Sequence, residues 1–294
     1  MNNLPAPLQF IVNSNLWISI GALAATLQTV ILVQGELAYH PIYALIFGAT
    51  MLVYIGQRML PLLLNKGKQD TYMAQWMERN TFVLYFALIL SVSIIFYGLW
   101  FIQYKVVIIL GLLGLASVGY AVPLIKFNGQ SLRLRDWGLI KPFLLGLIWA
   151  LVTVTLPLLQ FGSNVFETAN MALFAERFFF ITAICIPFDI KDMHHDKTDI
   201  AQHTLPLKYG TATAINIARK LLLLFLIVAI CNCLLWLKVG PAVWLAYLIS
   251  FVLSLTLLYR CREDSTEYYY TFLIDGTIII QAVLVIGATL LNFQ

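Results

Sequence analysis

The chain has 294 residues, of which 61% are hydrophobic and 11% charged, with a formal net charge of +4. Soluble domains carry about 25% charged residues, so the composition excludes a soluble globular enzyme and makes the bilayer the solvent for most of the chain. Four cysteines, Cys185, Cys231, Cys233 and Cys261, give neither a disulfide framework nor a paired zinc motif, and no nucleic-acid partner is expected.

At about 20 apolar residues per membrane span, hydropathy predicts nine helices, over residues 10–34, 41–64, 81–101, 105–123, 138–160, 168–188, 213–237, 241–260 and 268–291. Span 1 carries Asn13 and Asn15 near its start, and span 2 carries Tyr54, Gln57 and Arg58 near its end. Tyr120 closes span 4 and Lys141 opens span 5, while Glu176 and Arg177 fall near the middle of span 6. Neighbours at i and i+1 do not face each other on a helix, so Glu176 and Arg177 are each expected to pair with a different helix as a structural device, with a role at a cavity floor as the alternative. Cys231-Asn232-Cys233 lies inside span 7 and reads as small apolar packing residues; Cys261 sits at a membrane edge, where acylation is conceivable. Span 9 begins with Tyr268-Tyr269-Tyr270, assigned to the interfacial aromatic belt, and carries Asp275 early. Met1 to Phe10 holds no Lys or Arg and precedes too long an apolar run for a cleavable signal. Gly35, Pro41, Gly162 and Gly240-Pro241 punctuate the joins. Residues 1–294 are therefore expected to form one domain: an all-α membrane protein, a bundle of about nine transmembrane helices.

The charges orient this bundle. Of the 18 basic residues, 15 fall at the joins of spans 2–3, 4–5, 6–7 and 8–9; Lys105 and Lys238 lie at the opposite side and Arg177 within a span. The positive-inside rule places those four joins in the cytoplasm, with the amino terminus inside and the carboxyl terminus outside, in a cytoplasmic (inner) membrane. Asn13, Asn15, Tyr54, Gln57, Arg58, Tyr120, Lys141 and Asp275 then all lie toward the cytoplasmic end. A charged or polar group at membrane depth is costly, and one hydrated, cytoplasm-facing cavity accounts for all of them together, with separate snorkelling side chains and interhelical hydrogen bonds as the alternative.

Span 6 ends in Pro187-Phe188-Asp189-Ile190-Lys191-Asp192-Met193-His194-His195-Asp196. If the helix continues, Asp189, Asp192 and Asp196, at i, i+3 and i+7, share one face. Three carboxylates on one stripe repel one another unless a cation lies among them, and Mg²⁺ suits such a site because it takes carboxylate oxygens together with water and substrate phosphates. His194, His195 and His203 raise a transition-metal transport site as an alternative, although adjacent His194 and His195 point in different directions on a helix.

Asp189-Ile190-Lys191-Asp192, then Asp196, then Thr204-Leu205-Pro206-Leu207-Lys208-Tyr209-Gly210 resembles the second Asp-rich region of the UbiA superfamily of intramembrane prenyltransferases. Gly119-Tyr120-Ala121-Val122-Pro123-Leu124 resembles that family's turn closing the fourth helix, and Asp275-Gly276 fits its last span. The resemblance implies Mg²⁺-dependent transfer of a prenyl group from an isoprenoid diphosphate to a lipophilic acceptor of aromatic or quinone type. It also implies that Asp189, Asp192 and Asp196 serve as catalytic metal ligands, and that Arg58, Lys126, Lys141 and Lys191 contact the diphosphate. The family's first motif, of the Asn-Asp-x-x-Asp type, belongs near the end of helix 2. This chain reads Val53-Tyr54-Ile55-Gly56-Gln57-Arg58-Met59-Leu60 there, without a carboxylate, and Arg58 stands about where the last Asp is expected. A fixed cation thus replaces half of a two-metal site, and a non-catalytic isoprenoid- or quinone-binding protein is the main alternative. A CDP-alcohol phosphotransferase is excluded, because Met193-His194-His195 follows Asp192 where that family needs Gly and Arg.

Overall fold

Without water to satisfy an unpaired N–H or C=O, an apolar chain can cross a bilayer as helix, each peptide group bonded within its own segment. The computed structural model describes residues 4–63, 72–121, 125–127, 130–132, 138–196 and 204–292. Its helices are α1 (Ala6–Asn13), α2 (Leu16–Gln34), α3 (Pro41–Leu63), α4 (Tyr72–Arg79), α5 (Thr81–Leu99), α6 (Tyr104–Ala121), α7 (Lys141–Ala150), α8 (Leu156–Gln160), α9 (Thr168–Asp196), α10 (Leu205–Tyr209), α11 (Thr211–Asn232), α12 (Pro241–Arg260) and α13 (Asp275–Asn292). Wider π-helical turns join α7 to α8 (Leu151–Thr155), extend α11 (Cys233–Leu237) and precede α13 (Tyr269–Ile274). Among the described residues, eight helical stretches are long and apolar enough to span a membrane, and Tyr104–Tyr120 is a shorter apolar ninth. The protein is an integral, multi-pass, all-α membrane protein.

The spans depart from expectation at three places. Span 1 is broken: α1 ends at Asn13 and α2 starts after Asn15, whose backbone is left-handed at φ 64°. Asn tolerates that conformation better than most residues, so the pair marks a corner. Span 6 does not stop at residue 188; α9 runs 29 residues through Pro187 to Asp196, which puts the Asp stripe on continuous helix. Between α6 and α7 a small antiparallel hairpin forms, β1 (Ile125–Phe127) on β2 (Gln130–Leu132), with Lys126 opposite Ser131. Hydropathy has no means of foreseeing three-residue strands.

Successive contacts arrange the long helices in a ring, α2–α13–α12–α11–α9–α7, closed through α8, α6 and α3 back to α2, with α5 packed outside on α3. The buried apolar core follows that ring, including Ile31, Phe180, Ile184, Phe225, Tyr247 and Val285. The outer helix α5 instead exposes Phe82, Phe86, Ile89 and Phe96, the pattern expected of a lipid-facing surface. Gly35 ends α2 in the left-handed conformation (φ 77°), returning its N–H to Ile31 O at 3.0 Å, a turn that favours glycine.

The aromatic belt assigned to Tyr268-Tyr269-Tyr270 needs correcting. Tyr268 and Tyr270 are buried. Tyr270 Oη donates to Arg262 O at 2.7 Å, and Asn13 Nδ2 donates to Tyr268 Oη at 3.3 Å. The hydroxyls tie the start of the last span to the α12 loop and to α1 rather than facing the lipid headgroups.

Candidate active site at the basic end of the bundle

The site is built where α7 and α9 cross. Gly146 of α7 lies so close to α9 that a Cβ there would collide with Thr182 Oγ1 and come within 3.0 Å of Phe178 O. Small residues at such crossings let membrane helices approach closely. Because the helices run antiparallel, residues before Gly146 meet residues after Thr182. Lys141, at the first turn of α7, therefore reaches the far part of α9.

There Lys141 Nζ lies 2.7 Å from Asp189 Oδ1 and 3.7 Å from Asp192 Oδ2. The Asp189 side chain is 1% exposed, Lys141 16% and Asp192 41%. A buried carboxylate without a counter-charge is strongly destabilising, and the ammonium supplies one. Asp189 Oδ2 has no hydrogen-bond partner among the described residues.

A second group lies beside the first. Arg58 of α3 is within electrostatic reach of Asp275, Glu267 and Tyr54. Asp275 lies in the field of both Arg58 and Lys191, and Lys191 Nζ is 3.5 Å from Glu267 Oε1. Tyr54 connects the two groups, since its electrostatic neighbours include Asp275, Tyr120 and Cys185 and it shares the cavity wall with Trp149, while Tyr120 lies near Lys141. The fold thus brings together Tyr54, Arg58, Tyr120, Lys141, Asp189, Asp192, Lys191 and Asp275 from five spans. Gln57 is half-buried on α3. Asn13 and Asn15 are buried at the α1–α2 corner, where Asn13 Oδ1 and both polar atoms of Asn15 have no partner among the described residues. The side chains of Lys126, Asp196, His194, His195 and His203 lie outside the described residues.

Under this charged cluster is a cavity of about 220 Å³ whose wall is almost wholly apolar. It is lined by Val53 and Tyr54 of α3, Leu113 and Gly114 of α6, and Trp149 and Val152 of the α7 region, among others. Tyr54 and Trp149 belong both to its wall and to the edge of the polar cluster. Of the eight residues assigned to a cavity from sequence, Tyr54 alone lines this one; Asn13, Asn15, Gln57, Arg58, Tyr120, Lys141 and Asp275 do not. Sequence reading missed the apolar chamber because nothing separates a Val or Leu facing a void from one facing a neighbour.

Among the described residues no three His, Cys, Asp or Glu side chains form a metal cage. The donors present suit one hard cation: two carboxylates one turn apart, one of them with a buried, unpartnered oxygen. Lys141, expected to contact a phosphate, is engaged with that carboxylate pair in this structure.

Glu176 and Arg177 form a separate buried cluster in the other half of the bundle. Tyr247 Oη of α12 donates to Glu176 Oε1 at 2.7 Å, and Arg177 Nη2 donates to Gln28 Oε1 of α2 at 3.0 Å. Gln28 Nε2 donates in turn to Tyr247 Oη at 3.2 Å, closing the chain. Each charge pairs with a different helix, and neither lines the apolar cavity. The signal for this network in the sequence is Gln28, a lone amide in the middle of an apolar span.

Three solved structures share this fold. One, of a digeranylgeranylglyceryl phosphate synthase in membranes, is 15% identical, with a TM-score of 0.56 over 98% of this chain and 99% of its own. A UbiA homolog from Archaeoglobus fulgidus is 12% identical, with a TM-score of 0.57 over 95% of this chain and 99% of its own. The same homolog bound to Cd²⁺ gives 13% identity and a TM-score of 0.54 over 94% and 98%. The chain has the UbiA fold. No protein-family model and no curated protein matches its sequence. At such identities the likeness concerns backbone architecture, and the UbiA fold here carries its own charges: Arg58 on α3 where the sequence pattern led one to expect a carboxylate, and Lys141 clasped to Asp189.

Proposed function

We propose that this protein is a divergent member of the UbiA superfamily, a single-domain intramembrane prenyltransferase that moves a prenyl group from an isoprenoid diphosphate to a lipophilic acceptor of aromatic or quinone type. One observation carries the reading: a charged cluster and an apolar chamber meet at Tyr54 and Trp149. An isoprenoid diphosphate has that same division between a multiply charged head and an apolar tail. The basic end faces the cytoplasm, following the distribution of Lys and Arg, so a water-soluble head group reaches the cluster from that side of a cytoplasmic membrane.

Arg58, Lys126, Lys141 and Lys191 bind and orient the diphosphate; Arg58 does so as a planar, permanently charged donor. Asp189, Asp192 and Asp196 would hold a single Mg²⁺, and the binding of Cd²⁺ by a protein of the same fold supports a divalent cation here. When bound, that cation supplies neutralisation of the leaving diphosphate. Tyr54 and Trp149 present ring surfaces at the mouth of the chamber, where they shield an allylic cation from water and stabilise it by about 0.5–2 kcal/mol each. The half-site on α3 is replaced by the guanidinium of Arg58, which gives fixed positive charge where a second metal is otherwise needed.

The test is prenyl transfer from a radiolabelled isoprenoid diphosphate in proteoliposomes with Mg²⁺. Asp189→Asn and Arg58→Ala should each remove most of the turnover, and unchanged rates in both would overturn the assignment. The missing carboxylates on α3 favour one second reading, a protein that binds an isoprenoid or quinone without turnover. Mass spectrometry of lipids extracted from the purified protein separates the two: a co-purifying quinone with no product after adding prenyl diphosphate and Mg²⁺ identifies the binder.

A further inference from the structure

Resting on that reading, we infer that Lys141 is a built-in counter-cation that occupies the Asp189/Asp192 pair until a diphosphate draws it away, so that metal and diphosphate bind as a coupled pair. The ammonium is 2.7 Å from one carboxylate and 3.7 Å from the other, the geometry of a cation shared between two anions. Two carboxylates and one ammonium leave a formal charge of −1. The neighbouring charges cancel in pairs, Lys191 against Glu267 and Arg58 against Asp275. A divalent cation entering alone would lie against this ammonium, which already sits on Asp189 Oδ1 at an almost fully buried position, and like charges at such close range repel.

A diphosphate changes that balance in two ways. It brings negative charge that compensates the metal, and it offers oxygens to an ammonium that must leave Asp189. Lys is suited to the exchange, being a compact charge on a flexible four-carbon stem. Lys141 is also the more exposed member of the closer pair, 16% against 1%, so it is the partner with room to move. Asp189 Oδ2, buried and unpartnered among the described residues, is the oxygen that stands ready while Oδ1 is occupied. The carboxylate pair is thereby protected from metal ions in the absence of substrate.

The coupling is read without turnover, by Mn²⁺ binding to the full chain in nanodiscs, followed by electron paramagnetic resonance with and without inorganic diphosphate. Coupling between two ligands of one site commonly amounts to about 5–150-fold in affinity. Wild-type protein should bind Mn²⁺ weakly alone and more tightly by a factor in that range when diphosphate is present, after allowance for their complex in solution. Lys141→Met should bind Mn²⁺ alone at least about fivefold more tightly than wild type and lose most of the coupling; Lys141→Arg should keep the weak Mn²⁺ binding in the absence of diphosphate. Equal Mn²⁺ affinity with and without diphosphate in the wild type overturns the inference without recourse to any variant. If prenyl transfer is present and the coupling absent, the inference alone fails; if neither ligand binds, the functional reading fails with it.

Discussion

Gly146→Ala is a sensitive probe of how the fold sets up the charged cluster. An added Cβ meets Thr182 Oγ1 within contact distance, Phe178 O at 3.0 Å and Thr182 Cβ at 3.3 Å. The Thr182 hydroxyl can rotate away, but a backbone carbonyl held in a helix cannot, so α7 and α9 must move apart. Overpacking of this kind costs about 1–3 kcal/mol, and we expect a loss in that range in reversible unfolding from detergent micelles. Thr182→Ala on the same background removes the hydroxyl but leaves the carbonyl, and should restore part of the loss. The displacement also acts on Lys141, five residues toward the start of α7 and 2.7 Å from Asp189. A double-mutant cycle of Lys141→Met with Asp189→Asn should therefore give a smaller coupling energy in the Gly146→Ala protein. Wild-type stability together with an unchanged coupling would refute the claim that this close crossing positions the cluster.

Two further outcomes follow from buried polar groups. Tyr247→Phe leaves Glu176 Oε1 without its 2.7 Å donor and Gln28 Nε2 without its 3.2 Å acceptor. Hydrogen bonds to charged groups contribute about 1.5–3 kcal/mol in general, and polar contacts in membranes nearer about 0.6–1.7. A loss of about 1–2 kcal/mol is expected, and no measurable loss in the same unfolding assay contradicts the network. At the opposite end of α3, His40 accepts the Ile42 N–H on Nδ1 at 3.1 Å, and burial lowers its pKa. The folded chain prefers the neutral ring, so stability is full above the ordinary histidine value of about 6.5 and falls as the pH drops from there toward the lowered folded value. His40→Gln should flatten that part of the stability profile; a slope that persists belongs to another group.

The sequence made some features legible and hid others for definable reasons. Span positions follow from hydropathy, since lipid and protein interior are both apolar to the chain, and the Asp stripe follows from helical spacing. The continuation of α9 beyond residue 188 was conditional at that level, because Pro187 and a run of charges argue locally for an ending. Which cation meets Asp189 was hidden: Lys141 lies 48 positions away, and its approach depends on Gly146 meeting Thr182. The pairing of Glu176 with Tyr247 and of Arg177 with Gln28 is equally nonlocal. The tyrosines before α13 were misassigned because an interfacial belt and a buried hydroxyl clasp use the same residue type at the same depth. Depth in the span singles out Tyr54 and Tyr120; Tyr54, with Trp149, stands where apolar chamber and charged cluster meet, while Tyr120 lies beside Lys141 and outside the chamber wall.

The adjacent charges on α9 have a mechanical consequence. Glu176 is held by α12 and Arg177 by α2, so the helix is gripped from two directions about 100° apart around its axis. A rod held that way cannot roll. Asp189 and Asp192 lie roughly 20 Å farther along the same helix at 1.5 Å per residue, just past Pro187, and that grip contributes to their bearing around the axis. Turning α9 by a single residue position would swing the carboxylates away from α7 by about 100°. The polar clasp in the far half of the membrane therefore helps to set the aim of the carboxylates at the other end.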